Sequence, residues 1–261
     1  MKKILAFLLV ASVFNHVQGG WLDFLGINKS ATNNNASNSA TIAGLSNDQV
    51  TGALKDALGN GLRYAIAVLG HEDGFLTNAE VKIPLPDKLQ LVEKGLKAVH
   101  EEKYADEFVA TLNHAAEQAV PQAAGVFAEA VRQMSFDDAK AILTGPQDAA
   151  TQYFRQTTQT NLYNLFYPIV QQATATNGVT SAYKKMMAKV NSGGSGFEGK
   201  LEGMADKYLG SDAIDLDAYV TDKALDGLFA KVADEEKHIR QDSTARTTDL
   251  MKQVFGAAQS R

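Results

Sequence analysis

The chain has 261 residues, 45% of them apolar, with 25 basic and 30 acidic side chains and a formal charge of -5 at neutral pH. It lacks the basic excess that neutralises nucleic-acid phosphates or anionic lipid headgroups, so neither is an expected partner. Cysteine is absent, which excludes disulfides, thiolate metal sites, a cysteine nucleophile and lipid attachment to an N-terminal cysteine.

Residues 1–19 have the three parts of a secretory signal peptide: Lys2-Lys3, the apolar run Ile4 to Phe14, and Val17-Gln18-Gly19. The apolar run is about eleven residues long, whereas a spanning helix needs about twenty. Cleavage near Gly19 is expected, leaving a periplasmic or secreted protein with no transmembrane segment in the mature chain. Residues 20–47 open on the apolar patch Trp21-Leu22-Asp23-Phe24-Leu25 and continue from Asn28 to Asn47 as Asn, Ser, Thr and Ala. Too few large apolar groups are present to offset the entropy of ordering, so this stretch is expected to be a disordered spacer.

A single helical domain is expected over residues 48–256, followed by a tail at 257–261. Val50, Leu54, Ala57, Leu58, Leu62, Ala65, Ile66 and Leu69 recur at helical spacing up to Gly70. Gly52, Gly59 and Gly61 inside that run imply a close neighbouring backbone, because each costs about 1 kcal/mol relative to alanine. The prolines of Val81-Lys82-Ile83-Pro84-Leu85-Pro86 forbid a helix and a central strand, so a short extended or hairpin element is expected near residues 74–86. Helical spacing resumes with Leu89, Val92, Leu96 and Val99, and again from Ala105 through Phe108, Leu112, Ala115 and Ala116. Pro121 restarts or kinks this helix, Ser135 to Asp138 reads as a capping box, and Thr144-Gly145-Pro146 closes the helix that follows. Asp148 is the expected cap of a helix reaching towards Val170. Asn177-Gly178 reads as a turn and Ser192 to Gly196 as a flexible loop, before amphipathic segments from Leu216 to Ile239 and Thr247 to Phe255. The fold expected is mainly α, an irregular orthogonal helical bundle with one short extended element.

Five stretches carry a family pattern: DGFLTNAEVKIPLP from Asp73, NHAAEQAVPQA from Asn113, MSFDDAKAILTGPQDAATQYFR from Met134, YVTDKALDGLFAKVADEEKHIR from Tyr219, and ARTTDLMKQVFG from Ala245. From about Asp48 to Gly256 the chain resembles the bacterial envelope family known as domain of unknown function 4197. The resemblance implies an exported, mostly helical protein and brings no activity, substrate or cofactor. It also implies arginine more often than histidine at position 114 and an atypical histidine at position 238, which weakens a family-wide role for either.

Three chemistries remain to be weighed. Glu235 and His238 stand in the Glu-x-x-His spacing of metal-binding helices, and His114 with Glu117 has the same spacing reversed; no further ligand set completes a known metal motif, and no cofactor is expected. Polar groups set in apolar helical runs form the second constellation: Asn113 and Glu117, Tyr153 and Arg155, Glu236 and Arg240, and Arg246. These residues are the ligand-binding candidates, with a structural network as the commoner fate of such groups; the Glu236 and Arg240 spacing also fits a mere surface pair. Third, Met186, Met187, Met204 and Met251 offer adaptable apolar surface for a ligand between helices. The expected product is a soluble, non-enzymatic binding or interaction module of the bacterial periplasm, whose partner is a small molecule or an envelope protein. The alternative is a metal- or carboxylate-dependent enzyme with a polar site among the helices.

Overall fold

A computed structural model describes residues 44–176, 178–192 and 215–259. The leader, the Trp21 patch, the spacer up to residue 43, Asn177, the glycine-rich loop after Ser192 and Met204 lie outside these residues.

Helix α1 (Asn47–Leu69) begins where Ser46 and Gln49 form a reciprocal capping box, each side chain bonding the other's backbone. Its buried face holds the apolar residues expected from the spacing, with Ile66 only partly covered. Gly61 meets α8 closely: a Cβ there would lie 3.4 Å from atoms of both Glu235 and Ile239. Gly52 faces open space and has no such neighbour. Leu45, just ahead of the expected domain boundary, is already part of the core.

Helix α2 (Asp87–Ala98) is followed by His100 at φ 57, and the Glu101 amide donates back to the Leu96 carbonyl. That left-handed residue stops the helix and leaves Val99 exposed, although its spacing had matched the inner face. Helix α3 (Lys103–Ala119) runs into a 3-10 turn at Val120–Gln122, the local consequence of Pro121, and then into α4 (Ala123–Gln133). The predicted capping box of Ser135 with Asp138 opens α5 (Phe136–Thr144), and Gly145 closes it.

Helix α6 (Ala149–Thr176) continues through Pro168, past the expected end near Val170. Helix α7 (Val179–Ser192) lies against α3, and α8 (Leu216–Gln241) packs on α6, α1 and α3. Helix α9 (Asp249–Gln259) packs on α1 and extends into the segment read as a tail. At the junction of α4, α6 and α8 the rings of Phe127, Phe154 and Phe229 meet edge to face, with centroids 5.6 and 6.1 Å from Phe127.

The fold is mainly α, and no strand occurs among the described residues. The predicted extended piece is present, but it forms no hairpin. Residues 71–81 coil through successive turns, and residues 82–86 run extended into α2. Val81, Ile83 and Leu85 point inward while Lys82 and Pro84 face solvent, the alternation of a strand without a partner strand. Phe75 is fully buried against α8, where a Cβ on Gly227 would come within 2.6 Å of its Cε1. No helix is long and apolar enough to cross a membrane among the described residues.

Gly227→Ala is therefore expected to destabilise the protein by about 1–3 kcal/mol through overpacking, whereas Gly52→Ala should stabilise it by up to about 1 kcal/mol through helix propensity. Urea denaturation of the two variants checks the opposite signs.

Tyr219 supplies a second check. Its hydroxyl donates to the Pro84 carbonyl at 3.0 Å, and burial, then the neighbouring Asp87 charge, push its ionisation from 10.0 up to about 12. The folded chain holds this proton more tightly than the unfolded one, so the contribution is complete below pH 10 and is lost as the pH rises towards 12. Tyr219→Phe should flatten the alkaline decline in stability, read as melting temperature against pH.

Candidate functional site

Two polar residues one turn apart on α3, Asn113 and Glu117, are buried in its apolar face. Both turn out to bind backbone. The Asn113 Oδ1 accepts the Ile83 amide at 2.8 Å, and its Nδ2 donates to the carbonyls of Ile83 at 2.9 Å and Val109 at 2.7 Å. The side-chain amide thus pairs with Ile83 as a neighbouring strand would. Glu117 accepts the Asp73 amide on Oε2 at 3.1 Å, and the amides of Phe75 and Leu76 on Oε1 at 2.9 and 3.3 Å. Among the described residues no lysine or arginine pairs with this carboxylate, which is 5% exposed. Three converging N–H dipoles take that place, as in other backbone anion nests.

The turn that supplies these amides depends on its own sequence. Asp73 has φ 64, a left-handed conformation that aspartate tolerates better than most residues. Gly74 passes over the end of α1, where a Cβ would lie 2.6 Å from the Val68 carbonyl oxygen. Gly70 abuts Pro121, leaving 2.9 Å to its Cγ for any added Cβ.

Above this anchored turn lies a cleft of about 500 Å3 lined by Gly70, His71, Glu72, His114, Glu117, Gln118 and Pro121. His114 Nε2 lies 3.2 Å from Asp73 Oδ1. The lining combines two carboxylates, two imidazoles and one amide, with no lysine or arginine. His71, Glu72 and Gln118, which also line the cleft, are not among the candidates that the sequence points to. Their one legible signal is position, beside the Asp-Gly turn and one turn along α3.

Glu236 performs a second backbone task. Its two oxygens accept the amides of Ala150 and Thr151, both at 2.9 Å, and the Thr151 hydroxyl at 2.9 Å. The N-terminus of α6 is thus capped by α8, while the expected cap Asp148 accepts from the Gln152 side chain. Arg240 Nη2 binds Glu236 at 2.8 Å and the Ile142 carbonyl at 2.8 Å. With Glu236 4% exposed and the Arg240 side chain 14%, the pair is largely covered and is not the surface pair that its spacing allowed. Arg246, also buried, donates to the carbonyls of Ile239 and Arg240 at 3.0 and 2.6 Å. It closes the C-terminus of α8, where the helix dipole favours a cation.

The seven polar candidates therefore do not converge on one pocket. Tyr153 turns to the groove between α4 and α6, its hydroxyl 3.4 Å from the Ala130 carbonyl. Arg155 lies over the Phe229 ring at 4.6 Å and meets Asp226 at 3.3 Å. His114 and Glu117 line the cleft, whereas Glu235 and His238 form a separate pair on α8, 3.9 Å apart. No cluster of three or more His, Asp or Glu side chains is arranged to hold a metal among the described residues. Met186 and Met251 are core residues, and the cavity beside Gly61 measures about 10 Å3, room for one water molecule at most and not for an apolar ligand.

Glu117→Gln replaces one acceptor oxygen by an NH2 that faces amide donors. A loss of about 2 kcal/mol or more is expected, with faster hydrogen exchange at Phe75 and Leu76 than at the amides of α6. Hydrogen-exchange mass spectrometry with urea denaturation checks both.

No curated protein matches the chain, and no solved structure does. The family described as "Protein of unknown function (DUF4197)" matches residues 44–256, from just ahead of α1 into α9. The segments that bear the structural fasteners, from the Asp-Gly turn to the end of α8, all lie inside that match, and the chain belongs to the DUF4197 family.

Proposed function

We propose that the protein is an exported, non-enzymatic binding module of the bacterial periplasm, and that it takes a small polar ligand in the cleft beside α3. The observation that carries this reading is the cleft itself: about 500 Å3, within the roughly 300–1,000 Å3 of small-molecule sites, with its floor held rigid by Glu117. Exposed imidazole, carboxylate and amide groups can orient a ligand, and the acidic lining without lysine or arginine favours hydrogen-bond donors or a cationic amine over an anion.

Binding fits the geometry better than proton transfer does. Glu117, the carboxylate best placed for general-base work, already spends both oxygens on three backbone amides. The export half of the reading rests on the leader-like residues 1–19.

Expression of the full-length gene in a bacterium should yield a periplasmic product that begins at Gly20 by N-terminal sequencing. Native mass spectrometry of that product should show a small-molecule adduct, and Gln118→Trp, which fills the cleft from an exposed position, should remove it without lowering the melting temperature. A protein beginning at Met1 in the cytosol defeats the export reading. An adduct that persists in the variant, or a protein partner in its place, defeats the ligand site.

A further inference from the structure

We propose that the groove between α4 and α6 is a second binding site, distinct from the cleft beside α3, and that its ligand is a neutral saccharide ring. The groove encloses about 330 Å3, at the lower end of the roughly 300–1,000 Å3 of small-ligand sites. Its floor is apolar, formed by Val126, Ala130 and the half-buried ring of Tyr153, and its rim carries Glu129, Gln133 and Asn161. Gly125 leaves one end open, since a Cβ there would meet no atom within 4 Å.

Asn161 on the rim and Tyr153 on the floor keep hydrogen-bonding capacity to spare. Asn161 makes no side-chain hydrogen bond among the described residues. The Tyr153 hydroxyl reaches the Ala130 carbonyl only at 3.4 Å, beyond the usual 2.5–3.0 Å or so for O–H···O. Burial pushes its ionisation up, so at neutral pH it stays a phenol that both donates and accepts.

The charge balance narrows the ligand. Glu129 is paired with Arg132 and accepts from Gln133 Nε2 at 2.6 Å. An anion would face the Glu129 carboxylate, and a cation would have to displace the arginine already bound to it. A wholly apolar ligand would strip water from Asn161 and Tyr153 without replacing it. A pyranose ring matches what remains: a C–H face for the tyrosine ring, and hydroxyls that donate and accept for planar amides and a phenol.

Saturation-transfer NMR and isothermal titration of the purified protein with glucose, N-acetylglucosamine, cellobiose and chitobiose test this. At least one of the four should bind. Gly125→Leu, whose side chain enters the groove from an exposed helical position, should weaken that sugar roughly tenfold or more, about 1.4 kcal/mol. Asn161→Ala should weaken it by a smaller factor, and circular dichroism melting should show both variants folded. Failure of all four sugars to bind overturns the proposal, as does undiminished binding in the two variants. Loss of sugar binding in Gln118→Trp with retention in Gly125→Leu also overturns it, since that result places the sugar in the cleft beside α3. The adduct expected in that cleft is read separately, so either site can fail while the other stands.

Discussion

Every backbone N–H and C=O that leaves water must find a partner, and in this helical protein that requirement is met by a few buried side chains. Residues 70–86 leave the helical pattern inside the fold, with Phe75, Ile83 and Leu85 fully covered and no strand to pair with among the described residues. Asn113 and Glu117 take the role of the missing strand, one serving the extended half and the other the turn. Glu236 does the same for the N-terminus of α6, and Arg246 for the C-terminus of α8. Each of these side chains is polar, nearly inaccessible and bound to backbone, that of Arg246 six and seven residues back and those of the other three in distant parts of the chain.

This arrangement explains why the polar residues within apolar helical faces do not form one catalytic pocket. A buried carboxylate is stable only when its charge is answered, and here backbone dipoles answer Glu117 while amides and Arg240 answer Glu236. The chemistry open to solvent is displaced to the residues around the anchors. His71, Glu72, His114 and Gln118 ring the cleft above the turn that Glu117 holds, and the groove between α4 and α6 lies beside Tyr153. Rigid floors with adaptable polar rims are suited to recognition.

Much of the fold was legible because helical periodicity and end signals are local. The inner face of α1, the capping box at Ser135 and the stop at Gly145 all follow from residues within a few positions of one another. The errors fall where distant chain segments decide. Val99 kept the apolar spacing of α2, yet His100 adopts a left-handed backbone and turns it out to solvent. Asp148 stood at a good capping position, yet Glu236 from α8 took the amides. Gly52, Gly59 and Gly61 looked alike, but Gly52 faces open space while Gly61 lies against α8.

The sequence by itself determined that the chain is cysteine-free, mildly acidic and mainly helical, with an extended interruption between α1 and α2 enforced by Pro84 and Pro86. It also marked Asn113, Glu117 and Glu236 as polar groups out of place on apolar faces. Only the tertiary structure decided what those groups bind, because their partners are backbone amides, which every residue except proline carries and no side-chain pattern reveals. For the same reason the cleft and its rim became visible only in three dimensions. His71 and Gln118 are far apart in the chain, and a turn folded over one buried carboxylate brings them to a common site.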